Sequence, residues 1–153
     1  MVTLRKSNIK DLNFILEAEK SASRSAYVIK WSREEHTNVM NKLEWDHMII
    51  EDNEPVGYFI GKKQDDNYEL MRIVITKAGL GYGSQTIRKL LKDKFDQGIH
   101  RFWLDVRMHN KNAMVLYDKL GFVEEGILRD AVRYNETYVS VRIMSILRSE
   151  YEI

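Results

Sequence analysis

Tyr68-Glu69-Leu70-Met71-Arg72-Ile73-Val74-Ile75-Thr76, followed by Lys77-Ala78-Gly79-Leu80-Gly81-Tyr82-Gly83-Ser84, is the stretch whose reading decides the fold. The first run is apolar and rich in β-branched residues, and it reads as a strand over 68–76. The second packs three of the chain's eight glycines into five residues. It leads into a helix over Ser84–Gln97, in which Ile87, Leu90, Leu91 and Phe95 share one face. After Gly98, Arg101–Arg107 reads as the next strand. A strand, a helix and a strand in this order make a crossover, which forces 68–76 and 101–107 to run parallel.

The flanking segments read as hairpins and further helices. Val2–Lys6 is a short strand, and Ser7 or Asn8 caps a helix in which Ile9, Leu12, Ile15 and Leu16 recur at helical spacing. Ser32 with Glu35 three residues on is a capping box, and it opens a helix over Ser32–Leu43. Met48–Ile50 and Val56–Gly61 read as strands joined by the turn Glu51-Asp52-Asn53-Glu54-Pro55. Beyond the crossover, Asn110–Leu120 is an amphipathic helix carrying Ala113, Leu116, Tyr117 and Leu120, stopped by Gly121. Phe122–Arg133 and Glu136–Leu147 close the chain as two strands around Tyr134-Asn135-Glu136. No Pro-, Ser- or Gly-rich linker or repeat interrupts this order, so residues 1–153 read as one α/β (α+β) domain. The expected sheet is mixed and mostly antiparallel, with one parallel pair at its centre and helices beside it.

Composition narrows the function. The chain has 153 residues, 44% of them hydrophobic and 31% charged, as expected of an ordinary globular domain. It has no cysteine, which excludes a disulfide framework, a thiolate nucleophile and a Cys-ligated zinc site. A net charge of +1 argues for neither nucleic acid nor membrane as partner. The opening MVTLRKSNIKD turns polar at once and lacks the apolar core of a signal peptide. A cytoplasmic protein is the default expectation. His36, His47, His100 and His109 show no paired helical spacing, so no metal site is expected.

Two motifs carry chemistry. In Ala78-Gly79-Leu80-Gly81-Tyr82-Gly83-Ser84 the glycines let a ligand approach the backbone closely, and N–H groups opening the next helix attract phosphate oxygens. A plain change of direction is the alternative reading. The loop lacks the Gly-Lys-Ser/Thr of a nucleoside-triphosphate loop, and its G-x-G-x-G spacing is not the dinucleotide fingerprint. The second motif is Asn110-Lys111-Asn112-Ala113-Met114-Val115-Leu116-Tyr117-Asp118-Lys119-Leu120-Gly121-Phe122. Read alone it is a capped helix with a glycine stop, and packing is the first expectation for Tyr117.

In this order and spacing, the two motifs make the chain resemble the GNAT N-acetyltransferase superfamily, in the branch of ribosomal-protein alanine and spermidine N-acetyltransferases. The likeness also runs through Glu69–Ile75, His100–Val106 and Glu124–Arg129. It covers residues 68–150 well, whereas the first 65 fit only in element order. One departure is Ala78, at a loop position usually held by Gln, Arg or Lys. The resemblance implies an acetyl-CoA-dependent enzyme whose parallel strands splay apart. The pantetheine arm would pair with Ile73, Val74 and Ile75, and the pyrophosphate would lie on Gly79, Leu80, Gly81, Tyr82, Gly83 and Ser84. Asn110 would cap its helix and touch the arm. Glu69 would take the amine's proton, directly or through water, and Tyr117 would protonate the leaving thiolate. No metal is implied, and His109 lies beside the proposed site.

The implied acceptor is a polyamine or other small primary amine, or the N-terminal amine of a protein. Transfer would be direct, in a ternary complex, since no thiol is present to carry an acetyl group. Tyr27, Trp31 and Trp45 fall where acceptor-side helices are expected, as do the acidic Glu34, Glu35, Glu44 and Asp46. Core packing and solvated helix faces are the plainer readings of those residues. A homodimer stays open. The rival functions are a CoA-binding sensor or interaction module without turnover and, with no motif behind it, a nucleotide-binding regulator.

Overall fold

The computed structural model describes residues 1–151. Its strands are β1 (Thr3–Lys6), β2 (Trp45–Asp52), β3 (Glu54–Gln64), β4 (Asn67–Ile75), β5 (Arg101–Arg107), β6 (Val123–Tyr134) and β7 (Thr137–Leu147). They form one seven-stranded sheet in the order β1-β2-β3-β4-β5-β7-β6. Every described pairing is antiparallel except β4 with β5, as the crossover requires. Helices α1 (Leu12–Arg24) and α2 (Arg33–Met40) cover one face. Helices α3 (Tyr82–Asp96) and α4 (Lys111–Lys119) cover the other, and a single turn, α5 (Arg148–Tyr151), follows β7.

Alternation along the strands builds a core on each face. Phe59 joins Ile87, Leu90, Phe95 and Phe102 on the α3 side, while Tyr58 and Ile60 join Leu12, Ile15 and Met40 on the α1 side. Phe59, Ile87, Phe95 and Phe102 are at most 2% exposed, and burying such a side chain stabilises by about 1.5–3 kcal/mol. A bulge displaces the β3–β4 register after Ile60, pairing Ile60 with Arg72 but Gly61 with Leu70. Gly61 has no alternative there. A Cβ at Gly61 would lie 1.8 Å from the Tyr68 hydroxyl, which crosses it to donate to Asp46 Oδ2 at 2.7 Å.

Several boundaries differ from the sequence reading. The hairpin strands extend to 45–52 and 54–64, so the five-residue turn shrinks to a tip at Asn53, whose φ is +64°. Asn tolerates that left-handed conformation, and Pro55 pairs inside the ladder opposite Glu51. Asn8 caps a 3₁₀ turn, Ile9–Asp11, before α1 begins. Ile9 therefore lies off the helical stripe and is 70% exposed. Helix α3 starts at Tyr82, two residues early, because Gly81 adopts φ +77° as its N-cap. On α4 the buried residues are Met114 and Tyr117, with Ala113, Leu116 and Leu120 at the margin of the core. The Ser32–Glu35 capping box forms as expected.

A buried polar string fills the space between α1, α2 and the sheet. Ser7 Oγ lies 2.6 Å from His47 Nδ1, and His47 Nε2 shares a hydrogen bond of 2.9 Å with His36 Nδ1. His36 Nε2 stands 3.0 Å from Glu19 Oε2, without the alignment of a hydrogen bond. Tyr58 donates to the same Glu19 oxygen at 2.7 Å. Burial, and then the charge His36 would carry, push His47 down to about 4, against about 6.5 in an unfolded chain. The unfolded state therefore binds this proton first as pH falls. The contribution of His47 to stability is full above about pH 6.5 and declines towards pH 4. His47→Gln should flatten this part of the melting-temperature profile; a profile as steep as wild type would place the acid-sensitive group elsewhere.

Candidate active site

The ladder between β4 and β5 consists of Asn67, Tyr68 and Glu69 against Arg101, Phe102 and Trp103, and then ends. Beyond Glu69, β4 is held only by β3, while β5 stays paired with β7 through Arg107. Between the diverging strands opens a cleft of about 630 Å³. Its floor is Leu70–Ile75 of β4 with the following Thr76, and Asp105–Arg107 of β5. Its walls come from α1 with the following Ser25–Val28 segment, and from Asn110 and Tyr117. Alternate amides of β4 that face away from β3 are left to meet whatever enters.

The glycine loop follows directly from this open edge. Gly79 and Gly81 have φ of +79° and +77°, which a side chain resists. Gly81 provides no side-chain cap, so the first-turn N–H groups of α3 point out of the helix unpaired. Ala78, Gly79, Leu80 and Gly81 are exposed, and Tyr82, Gly83 and Ser84 are half-buried. The Tyr82 hydroxyl is turned away to donate to Asp52 Oδ2 at 2.7 Å. These residues fit an anionic pyrophosphate through backbone donors and the helix dipole, a role that does not need the side chain missing at Ala78. The open edge beside Ile73, Val74 and Ile75 fits an extended amide chain leading to it.

The motif helix brings two predicted residues to the cleft. Asn110 is the N-cap of α4, accepting from Ala113 N at 3.3 Å, and its side chain borders the cleft. Tyr117 is 7% exposed and packs on Phe122 with ring centroids 5.7 Å apart, yet it also lines the cleft. Burial, then the negative charge of Asp105, raise its hydroxyl to about 12. It therefore keeps its proton at neutral pH.

Glu69 is placed differently. It lies at the last rung of the parallel ladder and lines a smaller neighbouring depression with Lys62, Arg101 and Trp103. Two carboxylates line the cleft: Glu17 from α1 and, on the sheet, Asp105, two residues beyond Trp103 on the same face. Burial raises both Glu69 and Asp105, and Asp105 adds to the shift of Glu69. Sequence reasoning passed over Asp105, Arg107 and Arg72, all of which line the cleft. The available signal was Trp103-x-Asp105-x-Arg107, a charged stripe alternating with the fully apolar Phe102, Leu104 and Val106.

The proposed acceptor-side groups also separate. Tyr27 reaches the cleft, whereas Trp31 and Trp45 pack against the core. Glu34, Glu35, Glu44 and Asp46 do not line the cleft; Glu35 is used in its cap, and Asp46 pairs with Lys94 at 2.7 Å. His109 is held at the rim, 2.6 Å from the Ser25 carbonyl oxygen. His36 and His47 are brought together after all, but no group of three potential metal-ligating side chains forms among the described residues.

The mixed sheet, its parted central parallel strands and the glycine-opened helix are shared with a class of transferases that the comparisons with known proteins identify. The chain belongs to the acetyltransferase (GNAT) family, whose model matches residues 12–122, and it is an N-acetyltransferase that uses acetyl-CoA. It is 30% identical to the [Ribosomal protein bS18]-alanine N-acetyltransferase of Haemophilus influenzae over 70% of this chain and 74% of that one. It is 26% identical to the spermidine N(1)-acetyltransferase of Vibrio cholerae over 98% of this chain and 95% of that one. The crystal structure of spermidine N-acetyltransferase from Vibrio cholerae in complex with CoA and spermine superposes with a TM-score of 0.87. That match has 25% identity and covers 99% of this chain and 98% of the other.

Gly81→Val tests the anion site. A Cβ at Gly81 meets nothing closer than Gln85 Nε2 at 3.8 Å, so the variant should fold. The strained φ should cost about 1–2 kcal/mol and misdirect the first-turn amides. Acetyl-CoA should then fail to raise the melting temperature, and a shift equal to wild type would remove the loop from the binding site.

Proposed function

We propose that the protein transfers an acetyl group from acetyl-CoA directly to a primary amine, in a ternary complex formed across the splay. The observation that carries this reading is Tyr117, a buried and protonated hydroxyl in the same cleft as the open edge of β4 and the carboxylate of Asp105. The acceptor class is a polyamine or small amine, or a protein N-terminus, as in the relatives. The homodimer expectation belongs to the same reading, with the exposed Ile127, Leu128 and Tyr138 of the β6–β7 hairpin as its surface. The site lies in a protein in which no described helix is long and apolar enough to cross a membrane.

The chemistry follows from the groups present. An aliphatic amine has a pKa near 10 and must lose a proton before its nitrogen can attack the thioester carbon. Asp105 and Glu69 are the acceptors for that proton, Asp105 from within the cleft and Glu69 through water from the adjoining depression. Burial raises both, which brings them nearer to the operating pH and makes them better bases. Amides on the open edge of β4 stabilise the oxyanion. When the carbon–sulfur bond breaks, the thiolate takes the proton of Tyr117. The chain's own thiol inventory is empty, which agrees with direct transfer.

A non-catalytic CoA sensor is separated from the enzyme by thiol release in the presence of an amine panel. Tyr117→Phe keeps the ring and its contact with Phe122, so a purely structural tyrosine would lose about 1 kcal/mol at most. Loss of the acid should instead lower kcat by about 10²-fold, with acetyl-CoA binding unchanged. Full activity in a stable Tyr117→Phe protein would return the residue to packing alone. Glu69→Gln and Asp105→Asn should each lower turnover, by about 10²-fold for a principal base, and remove the acidic inflection of the rate profile. An effect confined to Asp105→Asn would take Glu69 out of the relay.

A further inference from the structure

We infer that Arg72 and Glu19 form a positioning pair that couples the strand receiving the acyl donor to the wall that receives the amine; the inference rests on the acetyl-transfer reading above. Arg72 belongs to the part of β4 that β5 has abandoned, directly before Ile73–Ile75. Its guanidinium is turned to the α1 face, where it pairs with Glu19 and donates from Nη2 to the Ile29 carbonyl at 2.6 Å. The plane lies 5.1 Å from the Trp31 ring centroid. Glu19 in turn accepts from Trp31 N at 2.7 Å through its other oxygen. The backbone on both sides of Lys30 is therefore tied to one ion pair, whose side chains are 7% and 1% exposed.

These ties supply the directed backbone hydrogen bonds of a segment otherwise held by turns and ring packing. Residues 25–32 carry no regular structure, and Tyr27 and Val28 from this segment wall the cleft. Other ties there are the turn hydrogen bonds to Ala22 and Ser23, the His109–Ser25 contact, the Tyr27–His109 ring contact, the packing of Trp31 on His36 and Trp45, and the Ser32 cap. Glu19 is itself held from behind by Tyr58 and the His36–His47 string, so it is a stiff anchor. Without a ligand, the open edge of β4 has a ladder on one side only. An amide chain docking along Ile73–Ile75 would order that edge, and Arg72 carries the order to Ile29 and Trp31. A lysine cannot do the same. It has one point charge where arginine makes two directed bonds to different groups. By linkage, an acceptor that orders the segment must also tighten donor binding.

The test compares wild type with Arg72→Lys, using CoA as the probe and the amide of Trp31 within segment 25–32 as the reporter. In wild type, CoA should slow hydrogen exchange across 25–32. In Arg72→Lys, CoA should still raise the melting temperature but leave exchange there unchanged. In steady-state turnover the variant's KM for the amine should rise by about tenfold, a size typical of coupling between sites, while the Kd for CoA measured without amine stays within about twofold of wild type. Equal slowing in the variant, or an unaltered amine KM, overturns the pair's role. A wild-type protein that CoA does not stabilise at all would instead overturn the acetyl-transfer reading, and this inference with it. Should Arg72→Lys fail to fold, Glu19→Gln is measured in the same way. Glutamine still accepts from Trp31 but gives Arg72 no counter-charge, so segment 25–32 should again be uncoupled.

Discussion

Parallel hydrogen bonding between β4 and β5 stops after Glu69 and Trp103. From that rung onward each strand keeps one partner and loses the other, since β3 continues to hold β4 and β7 continues to hold β5. A sheet interrupted in this way has unpaired backbone donors and acceptors at its centre, where in an ordinary sheet they would be satisfied. Those groups cannot be left dry, and they are available to an extended ligand carrying amides. The bulge that skips Met71 lies on the same length of β4, opposite Ile60 and Gly61. Bulges redirect side chains, and this one turns Arg72 towards α1 while Leu70 faces α3.

The splay organises the charged groups around it. On one side the strand runs out through Gly79 and Gly81 into the uncapped start of α3, a site for negative charge. On the other, Asp105 and Glu69 lie in sequence along one face of the sheet and are less acidic than usual because they are desolvated. Tyr117 comes from the opposite layer, and its hydroxyl gains in pKa from the same burial and from the neighbouring Asp105. Carboxylates raised towards neutrality and a phenol held protonated suit a reaction that removes a proton from a nitrogen and delivers one to a sulfur. Buried charge beneath the cleft is fully engaged by contrast: Glu19 receives Tyr58, Trp31 N and Arg72 together.

The parts of the site that were legible in the sequence are contiguous ones. Gly79–Ser84 span a strand–helix junction, a loop through Gly81 and then the first turn of α3, and three glycines so close together stand out there in the sequence. Asn110 shows itself as a cap because its side chain acts on a residue three positions away. Tyr117 was harder to read. Its position on the apolar stripe explains its burial, and only the motif as a whole pointed to chemistry. Glu69 lies on the expected strand but one rung short of the cleft, because where a ladder ends depends on two strands at once. Asp105 escaped notice for the same reason. On its own strand it is one polar residue in an alternating pattern, and it becomes a cleft residue when β4 departs.

Local periodicity and turn chemistry determined the elements, their order and the parallel crossover, because these depend on residues within a few positions of one another. The glycine loop and the motif helix were legible in the same way, while the family came from the resemblance that the two motifs carry together and from the matching family model. Tertiary structure decided the rest. It set the rung at which β4 and β5 part, and it brought together His36 with His47 and Glu19 with Arg72, pairs separated by 11 and 53 positions. It also put Asp105, and not the acidic residues of α2, on the wall of the cleft. Such pairings follow from the packing of whole layers, from the bulge opposite Gly61, and from the burial that sets each group's affinity for a proton. None of these has a signature within one segment, since each is a property of surfaces that meet only once the chain has folded.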